Sequence, residues 1–336
     1  MKKFSVWILF VFIGVVFVTM NAWGDEKELN IYSSRHYDTD KQVYADFEEA
    51  TGIKVNVLEG KGGQLLERLS REKSNPKADL FLTVGAENIY FLKKNHLLER
   101  FDSYVVKKNI PEKYRGDGWM GITSRARIIA YSKARVNPDM INTYESLTEP
   151  EWKGKVLVRS SNSSYNQALL ASFIELYGNT KSRQWAKGIV KNMARRPKGN
   201  DRDQAKAIVA GVGDLAIMNS YYFIKMLRSS DPAEVAVTNQ IGLIFPEKTH
   251  LNLSIAALIK GSKNKENAVR FLESLSGKKV QKIYVEGNGE FPLNPEVSKS
   301  EVQKSWGEFT TQDLNFTDLG KFRKRAVIIF DQAGWK

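Results

Sequence analysis

The chain has 336 residues, of which 42% are hydrophobic and 26% charged, a composition typical of a folded globular protein long enough for two domains. It contains no cysteine, which excludes disulfide scaffolds, cysteine-ligated zinc, thiol catalysis and iron–sulfur clusters. The formal net charge of +13 comes from basic residues interleaved with acids along the whole chain, so we expect no binding to nucleic acid.

The first 24 residues predict a secretory signal peptide. A short positive start, Lys2-Lys3, precedes a mostly apolar run from Phe4 to Val18, and Ala22-Trp23-Gly24 places small residues at the cleavage-reading positions. The apolar run is shorter than the roughly 20 residues that a membrane-spanning helix needs. We therefore expect cleavage before Asp25 and export of the mature chain to the periplasm.

Strand and helix patterns alternate from residue 29 onward. Short apolar runs predict strands at 29–32, 53–57, 78–84, 127–131, 156–158, 215–218 and 253–259. Apolar residues at helical spacing predict helices that begin at Asp40 and Leu65 and others at 86–95, 166–177, 184–193, 203–210, 223–228 and 265–275. This alternation predicts an α/β fold with a mostly parallel sheet, and the length favours two such lobes with a cleft between them.

Four of the thirteen tyrosines follow a predicted strand and precede a predicted helix: Tyr37, Tyr165, Tyr221 and Tyr222. In open α/β sheets such turns gather at the carboxyl ends of the strands, where ligands bind. The turns are also rich in serine and asparagine, which supply donors beside helix N-termini. A single loop tyrosine is commonly a half-buried packing residue, but four in equivalent turns indicate a site.

These residues resemble a known family. The segment Ile31-Tyr32-Ser33-Ser34-Arg35-His36-Tyr37-Asp38-Thr39-Asp40 resembles the start of the periplasmic ferric-iron-binding proteins of ABC transporters, which include FutA-like and FbpA-like members. The resemblance continues in further segments: 121–127, 161–167, 199–204, 213–215, 219–222, 289–295 and 333–335. It covers the chain from about residue 28 to its end, and the Arg-His-Tyr turn with the Tyr-Tyr pair is its most specific part.

The resemblance implies a type II substrate-binding fold whose two lobes, joined by hinge strands, close on Fe(III). The family's ligands map onto Tyr37, Tyr165, Tyr221 and Tyr222, with His36 as a ligand found in some members. Phenolate oxygen is a hard anionic ligand that suits Fe(III). Four phenolates around Fe(III) leave a site charge of −1, which Arg125 and Arg127 are candidates to offset from behind the ligands or by binding an anion; surface ion pairs are their alternative role.

The resemblance also implies a monomeric, non-enzymatic binding protein that delivers iron to an ABC permease in the inner membrane. We expect an N-terminal lobe of residues 25–124 with about 247–300, and a C-terminal lobe of residues 125–246 with about 301–336. Fe(II) as cargo and a synergistic anion such as carbonate or citrate stay open. His96 and His250 are expected to be structural or exposed.

Two other readings remain open at this point. A site for another small anion or chelate would use stacking tryptophans or carboxylates and would not need adjacent tyrosines. A secreted enzyme with tyrosine and histidine as acid and base is the second alternative, although no Gly-x-Ser-x-Gly, His-Glu-x-x-His or P-loop motif is present.

Overall fold

A computed structural model describes residues 27–35 and 37–336. The predicted signal peptide and His36 lie outside the described residues. The strands of the described part are β1 (Glu28–Ser33), β2 (Lys54–Glu59), β3 (Leu80–Val84), β4 (Arg115–Gly116), β5 (Trp119–Ser132), β6 (Val156–Leu157), β7 (Leu215–Asn219), β8 (Ile241–Ile244), β9 (His250–Leu258) and β10 (Phe291–Pro292).

Helices surround these strands. They are α1 (Asp38–Thr51), α2 (Gly62–Arg71), α3 (Glu87–Lys94), α4 (Tyr104–Asn109), α5 (Ser164–Asn192), α6 (Asp201–Val209), α7 (Ser220–Leu227), α8 (Pro232–Gln240), α9 (Lys265–Ser276), α10 (Lys278–Asn288), α11 (Glu301–Ser305) and α12 (Arg323–Ala333). Gly178, inside α5, has a φ of 77° and breaks that helix into the two segments that the sequence predicted. No described helix has the length and apolar character needed to cross a membrane.

The strands form one curled sheet in the order β2-β1-β3-β9-β5-β7-β6. The predicted α/β class is confirmed. Among the strands of the described residues, parallel pairing, which the sequence predicted for most of the sheet, is confined to β1 with β2 and β3 and to β6 with β7. Strands β5 and β9 instead run antiparallel to their neighbours. Strand β9 pairs with β3 and β5, and β5 pairs with β9 and β7, so these two strands connect the halves of the sheet.

Strand β5 is longer than the sequence predicted. The pattern predicted a strand only at 127–131, but β5 begins at Trp119 and is almost wholly buried. A strand buried on both faces shows no alternation of apolar and polar residues. The middle of β5 also carries polar side chains, which a sequence pattern predicts to lie in a loop. Those side chains enter the tyrosine cluster described below.

Candidate metal centre

The four predicted tyrosines all stand at helix N-termini that follow strands. Tyr37 is the residue before α1, Tyr165 is the second residue of α5, and Tyr221 and Tyr222 are the second and third residues of α7. Strand β7 leads directly into α7, so the pair is fixed at the end of a buried strand. A helix N-terminus carries partial positive charge, which favours a negatively charged phenolate at each of these places.

The fold brings these tyrosines together. The ring centres of Tyr37 and Tyr221 are 6.5 Å apart in an edge-to-face arrangement, and those of Tyr221 and Tyr222 are 4.1 Å apart. Tyr165 interacts electrostatically with Tyr37 and Tyr222. Residues that are more than 180 positions apart in the chain thus form one cluster of phenol groups.

Burial favours the protonated form of three of these four phenols. It raises the pKa of Tyr165, Tyr221 and Tyr222 above the ordinary value, and the neighbouring tyrosines raise the pKa of Tyr165 and Tyr221 further. Arg125 acts in the opposite direction on both of those residues. A metal ion that binds here must therefore displace the phenol protons, and each displaced proton creates an anionic oxygen ligand.

Arg125 connects this cluster to a buried charge network. Its Nη2 donates to Ser254 Oγ at 2.8 Å and to the Tyr37 hydroxyl at 3.4 Å, and its guanidinium forms an ion pair with Glu290. Glu290 is also 3.3 Å from Arg35 Nη2. Burial alone would raise the pKa of Glu290, but Arg125 and Arg35 together lower it below its usual range. Glu290 is therefore an anion held between two arginines.

Arg35 extends the network to the start of α1. Its Nη2 is 3.0 Å from Asp40 Oδ1, and Asp40 Oδ2 accepts the backbone N–H of Tyr37 at 3.4 Å. The Arg35 guanidinium carbon is 5.1 Å from the centre of the Tyr37 ring and 4.9 Å from the centre of the Tyr284 ring. Tyr37 is thus fixed through its backbone and through a cation against its ring.

Arg127 forms a similar set of buried contacts on the side of the cluster where Tyr165 lies. Its Nη1 donates to Asp201 Oδ2 at 2.7 Å and its Nη2 donates to Asn166 Oδ1 at 2.8 Å. The guanidinium carbons of Arg127 and Arg159 are 5.8 and 5.6 Å from the centre of the Tyr165 ring. Arg125 and Arg127 are both fully buried, so the alternative of surface ion pairs is wrong for both.

Several residues of this site were not identified from the sequence: Arg35, Asp40, Asp201, Lys225 and Glu290. Glu290 and Asp201 lie within segments that carry the family resemblance, but nothing in those segments indicates an arginine partner. Asp201 stands next to Asn200, which caps α6, and so resembles an ordinary first-turn acid. The ion pair of Glu290 with Arg125 joins residues 165 positions apart, and that of Asp201 with Arg127 joins residues 74 positions apart. Local sequence patterns do not indicate contacts over such separations.

The other two histidines are not part of the cluster. His250 is fully buried, with Nδ1 2.8 Å from Gln312 Oε1, and His96 is exposed. Within residues 27–35 and 37–336, no group of three or more His, Asp or Glu side chains could hold a metal ion. Within that part of the chain, the tyrosine cluster is therefore the candidate metal centre.

Comparisons with known proteins agree with this arrangement. Residues 42–311 match the family described as bacterial extracellular solute-binding protein. The chain is 40% identical over 319 residues to iron uptake protein A1 of Synechocystis, covering 93% of this chain and 89% of that protein.

Solved structures are similar to this chain over most of its length. A Trichodesmium protein in complex with iron and citrate superposes with a TM-score of 0.87 at 42% identity, covering 92% of this chain and all of that one. A ferric binding protein from Campylobacter jejuni gives a TM-score of 0.86 at 40% identity and the same coverage. These neighbours have the type II periplasmic-binding-protein fold, which confirms the predicted two-lobed architecture.

Proposed function

The chain belongs to the family of bacterial extracellular solute-binding proteins, and on that premise we propose that it captures ferric iron between its lobes and delivers it to an ABC permease of the inner membrane. The observation that carries the proposal is the convergence of four phenol side chains from three helix N-termini. The Synechocystis relative is an iron uptake protein, and the Trichodesmium neighbour was solved with iron and citrate, which supports the same cargo here.

The proposed ligands are the phenolates of Tyr37, Tyr165, Tyr221 and Tyr222. Fe(III) is small and highly charged and prefers hard anionic oxygen, so this donor set favours it over softer divalent metals. His36 precedes Tyr37 directly and is the proposed fifth ligand.

We propose that a synergistic anion, which would bind together with the iron, is held by Arg125. It is fully buried, and its Nε and Nη1 have no hydrogen-bond partner among the described residues. Its guanidinium carbon is 5.3 Å from the centre of the Tyr221 ring, so an anion bound to these N–H groups would lie beside the phenolates. Carbonate and a carboxylate of citrate both supply anionic oxygens that can accept a hydrogen bond from a free guanidinium N–H.

The proposed N-terminal lobe comprises residues 25–124 with about 247–300, and the C-terminal lobe residues 125–246 with about 301–336. Helix α12 packs on α5, and Trp335 Nε1 donates to the backbone oxygen of Arg159, which supports placing the C-terminus in the second lobe. Tyr37 then belongs to the first lobe and the other three tyrosines to the second. Iron bound by all four would hold the lobes closed, and a permease can distinguish that form from the empty one.

The relatives of this chain are binding proteins, and we propose a binding role without catalysis. We further propose that the mature protein acts as a monomer in the periplasm. The predicted signal peptide, which lies outside the described residues, supports that location.

Titration with ferric iron tests the proposed cargo. The mature protein is titrated with Fe(III) supplied as a weak chelate at neutral pH, and the visible spectrum is recorded. We expect one ion per chain and a phenolate-to-iron charge-transfer band that gives an orange to red colour. A protein that stays colourless while an added small anion or organic chelate shifts its melting temperature would favour the alternative ligand class.

A further inference from the structure

Lys225 contacts tyrosines from both proposed lobes. It lies four residues after Tyr221 on α7, so the two side chains project from the same face of that helix. Its Nζ is 4.6 Å from the centre of the Tyr37 ring and 5.6 Å from the centre of the Tyr221 ring. Both distances are within the range of cation–π contacts. The ammonium group thus lies where the two halves of the tyrosine cluster meet.

The other two cations that face these rings, Arg35 and Arg125, form ion pairs with carboxylates. Arg35 is paired with Asp40 and Glu290, and Arg125 is paired with Glu290. Lys225 forms no ion pair within residues 27–35 and 37–336. A carboxylate in contact with a cation largely cancels the field of that cation a few ångströms away. Of the three cations, Lys225 is therefore the one whose field at Tyr37 and Tyr221 is not cancelled by a contacting acid.

We propose that Lys225 is the charge-balancing residue of this site, which strengthens ferric binding by neutralising the excess phenolate charge without touching the metal. The proposal rests on the proposed function. Four phenolates around Fe(III) carry a net charge of −1, and an anion bound at Arg125 would make the site more negative. Conversion of a phenol to a phenolate turns each ring contact of Lys225 into an attraction between opposite charges. In a half-buried position this attraction is screened less by salt than it would be at the surface.

Two substitutions separate the charge of Lys225 from its packing. Lys225→Met keeps the aliphatic stem and removes the charge, whereas Lys225→Arg keeps the charge. The matched control is Lys187→Met, which removes an exposed lysine from α5. Ferric affinity of each variant is measured by competition with citrate at one pH and one ionic strength, beside thermal unfolding of the iron-free protein.

We expect Lys225→Met to bind ferric iron roughly tenfold to a hundredfold more weakly, as the loss of one partly buried charge contact implies. Lys225→Arg should stay within about threefold of wild type, Lys187→Met should match wild type, and none should change the melting temperature of the iron-free protein by more than a few degrees. The charge-transfer band should stay in place for Lys225→Met, because the ligands are unchanged.

Two results would overturn the role of Lys225. One is wild-type affinity in Lys225→Met, and the other is equal weakening by Met and Arg, which would indicate that packing rather than charge matters. The wild-type titration distinguishes this failure from failure of the proposed function, because a wild-type protein that binds no ferric iron overturns both.

Discussion

Arg125 and Arg127 stand two residues apart on β5 and point to the same face of the sheet, where each is held by a carboxylate from a different part of the chain. Arg125 pairs with Glu290 and reaches Tyr37, whereas Arg127 pairs with Asp201 and faces Tyr165. One strand thus supports tyrosines on both sides of the proposed cleft. This relationship makes β5 the structural link between the two halves of the site.

The Tyr-Tyr pair should be indispensable for iron binding. Replacing Tyr221 and Tyr222 together by Phe removes two of the four proposed anionic ligands but almost no buried area, so ferric binding should fall below detection while the fold is kept. The visible titration and thermal unfolding of the iron-free variant check both parts. Tyr104→Phe is the control, since that tyrosine is 80% exposed. Retention of the charge-transfer band in the double variant would contradict the assignment.

Iron loading should weaken as the pH falls. The pKa of Tyr165, Tyr221 and Tyr222 is raised by burial, so these phenols are protonated in the free protein throughout the neutral range. Each ligated phenol then releases one proton, and the logarithm of the ferric affinity should rise by about one per pH unit for each. Competition titrations at several pH values, corrected for protonation of the competitor, measure this slope. Tyr165→Phe should lower the slope by about one, and an unchanged slope would show that Tyr165 does not coordinate.

Iron binding should make the molecule more compact. Tyr37 lies in the proposed first lobe and Tyr221 in the second, so one ion bound by both phenolates would hold the two lobes together. Small-angle scattering should show a smaller radius of gyration with saturating iron than without it. The Tyr221→Phe, Tyr222→Phe double variant should show no such change. An equal radius for the two wild-type forms would mean that the site is preformed, and the lobe assignment of Tyr37 would then be wrong.

Glu290 should be important for stability as well as for the site. Glu290→Gln keeps the shape of the side chain but removes the carboxylate that Arg35 and Arg125 share. Arg35 then keeps its ion pair with Asp40, whereas Arg125 is left buried without an acidic partner in contact. Breaking a buried ion pair from one side costs about 3 kcal/mol in the free energy of unfolding, which urea denaturation of the iron-free protein measures. Glu308→Gln removes a carboxylate that is 90% exposed and should cost less than about 0.5 kcal/mol.

His250 should make the fold sensitive to acid. Burial lowers the pKa of His250 from 6.5 to about 4, so the unfolded chain binds a proton between those pH values and the folded chain does not. This contribution to stability is complete above pH 6.5 and is lost as the pH falls, by about 2 kcal/mol between pH 7.5 and pH 5.

Substitution of His250 by Asn tests this assignment. The Asn side chain can still donate to Gln312 but does not titrate, so the variant should lose about 2 kcal/mol less than wild type over the same pH interval. Unfolding by urea at the two pH values gives both losses. Equal losses in the two proteins would show that His250 does not cause the acid sensitivity.

The sequence by itself determined the local parts of this site. The apolar run at 215–218 followed by Asn219 and Ser220 predicted Tyr221 and Tyr222 in a turn between a buried strand and a helix. The structure confirms the strand and the helix, and it places both tyrosines in the first turn of that helix. The absence of cysteine excluded every thiolate-ligated metal site. These features could be predicted because strand and helix periodicity and turn residues act over a few neighbouring positions.

Only the tertiary structure decided which charges surround the tyrosines. The pairing of Arg125 with Glu290, the pairing of Arg127 with Asp201 and the position of Lys225 over Tyr37 join residues 74 to 188 positions apart. Local patterns carry no information about such contacts, since an arginine in a strand has the same neighbours in sequence whether it is exposed or buried. What buries it is the pairing of β5 with β9 and β7, and that pairing forms when distant parts of the chain fold onto one another.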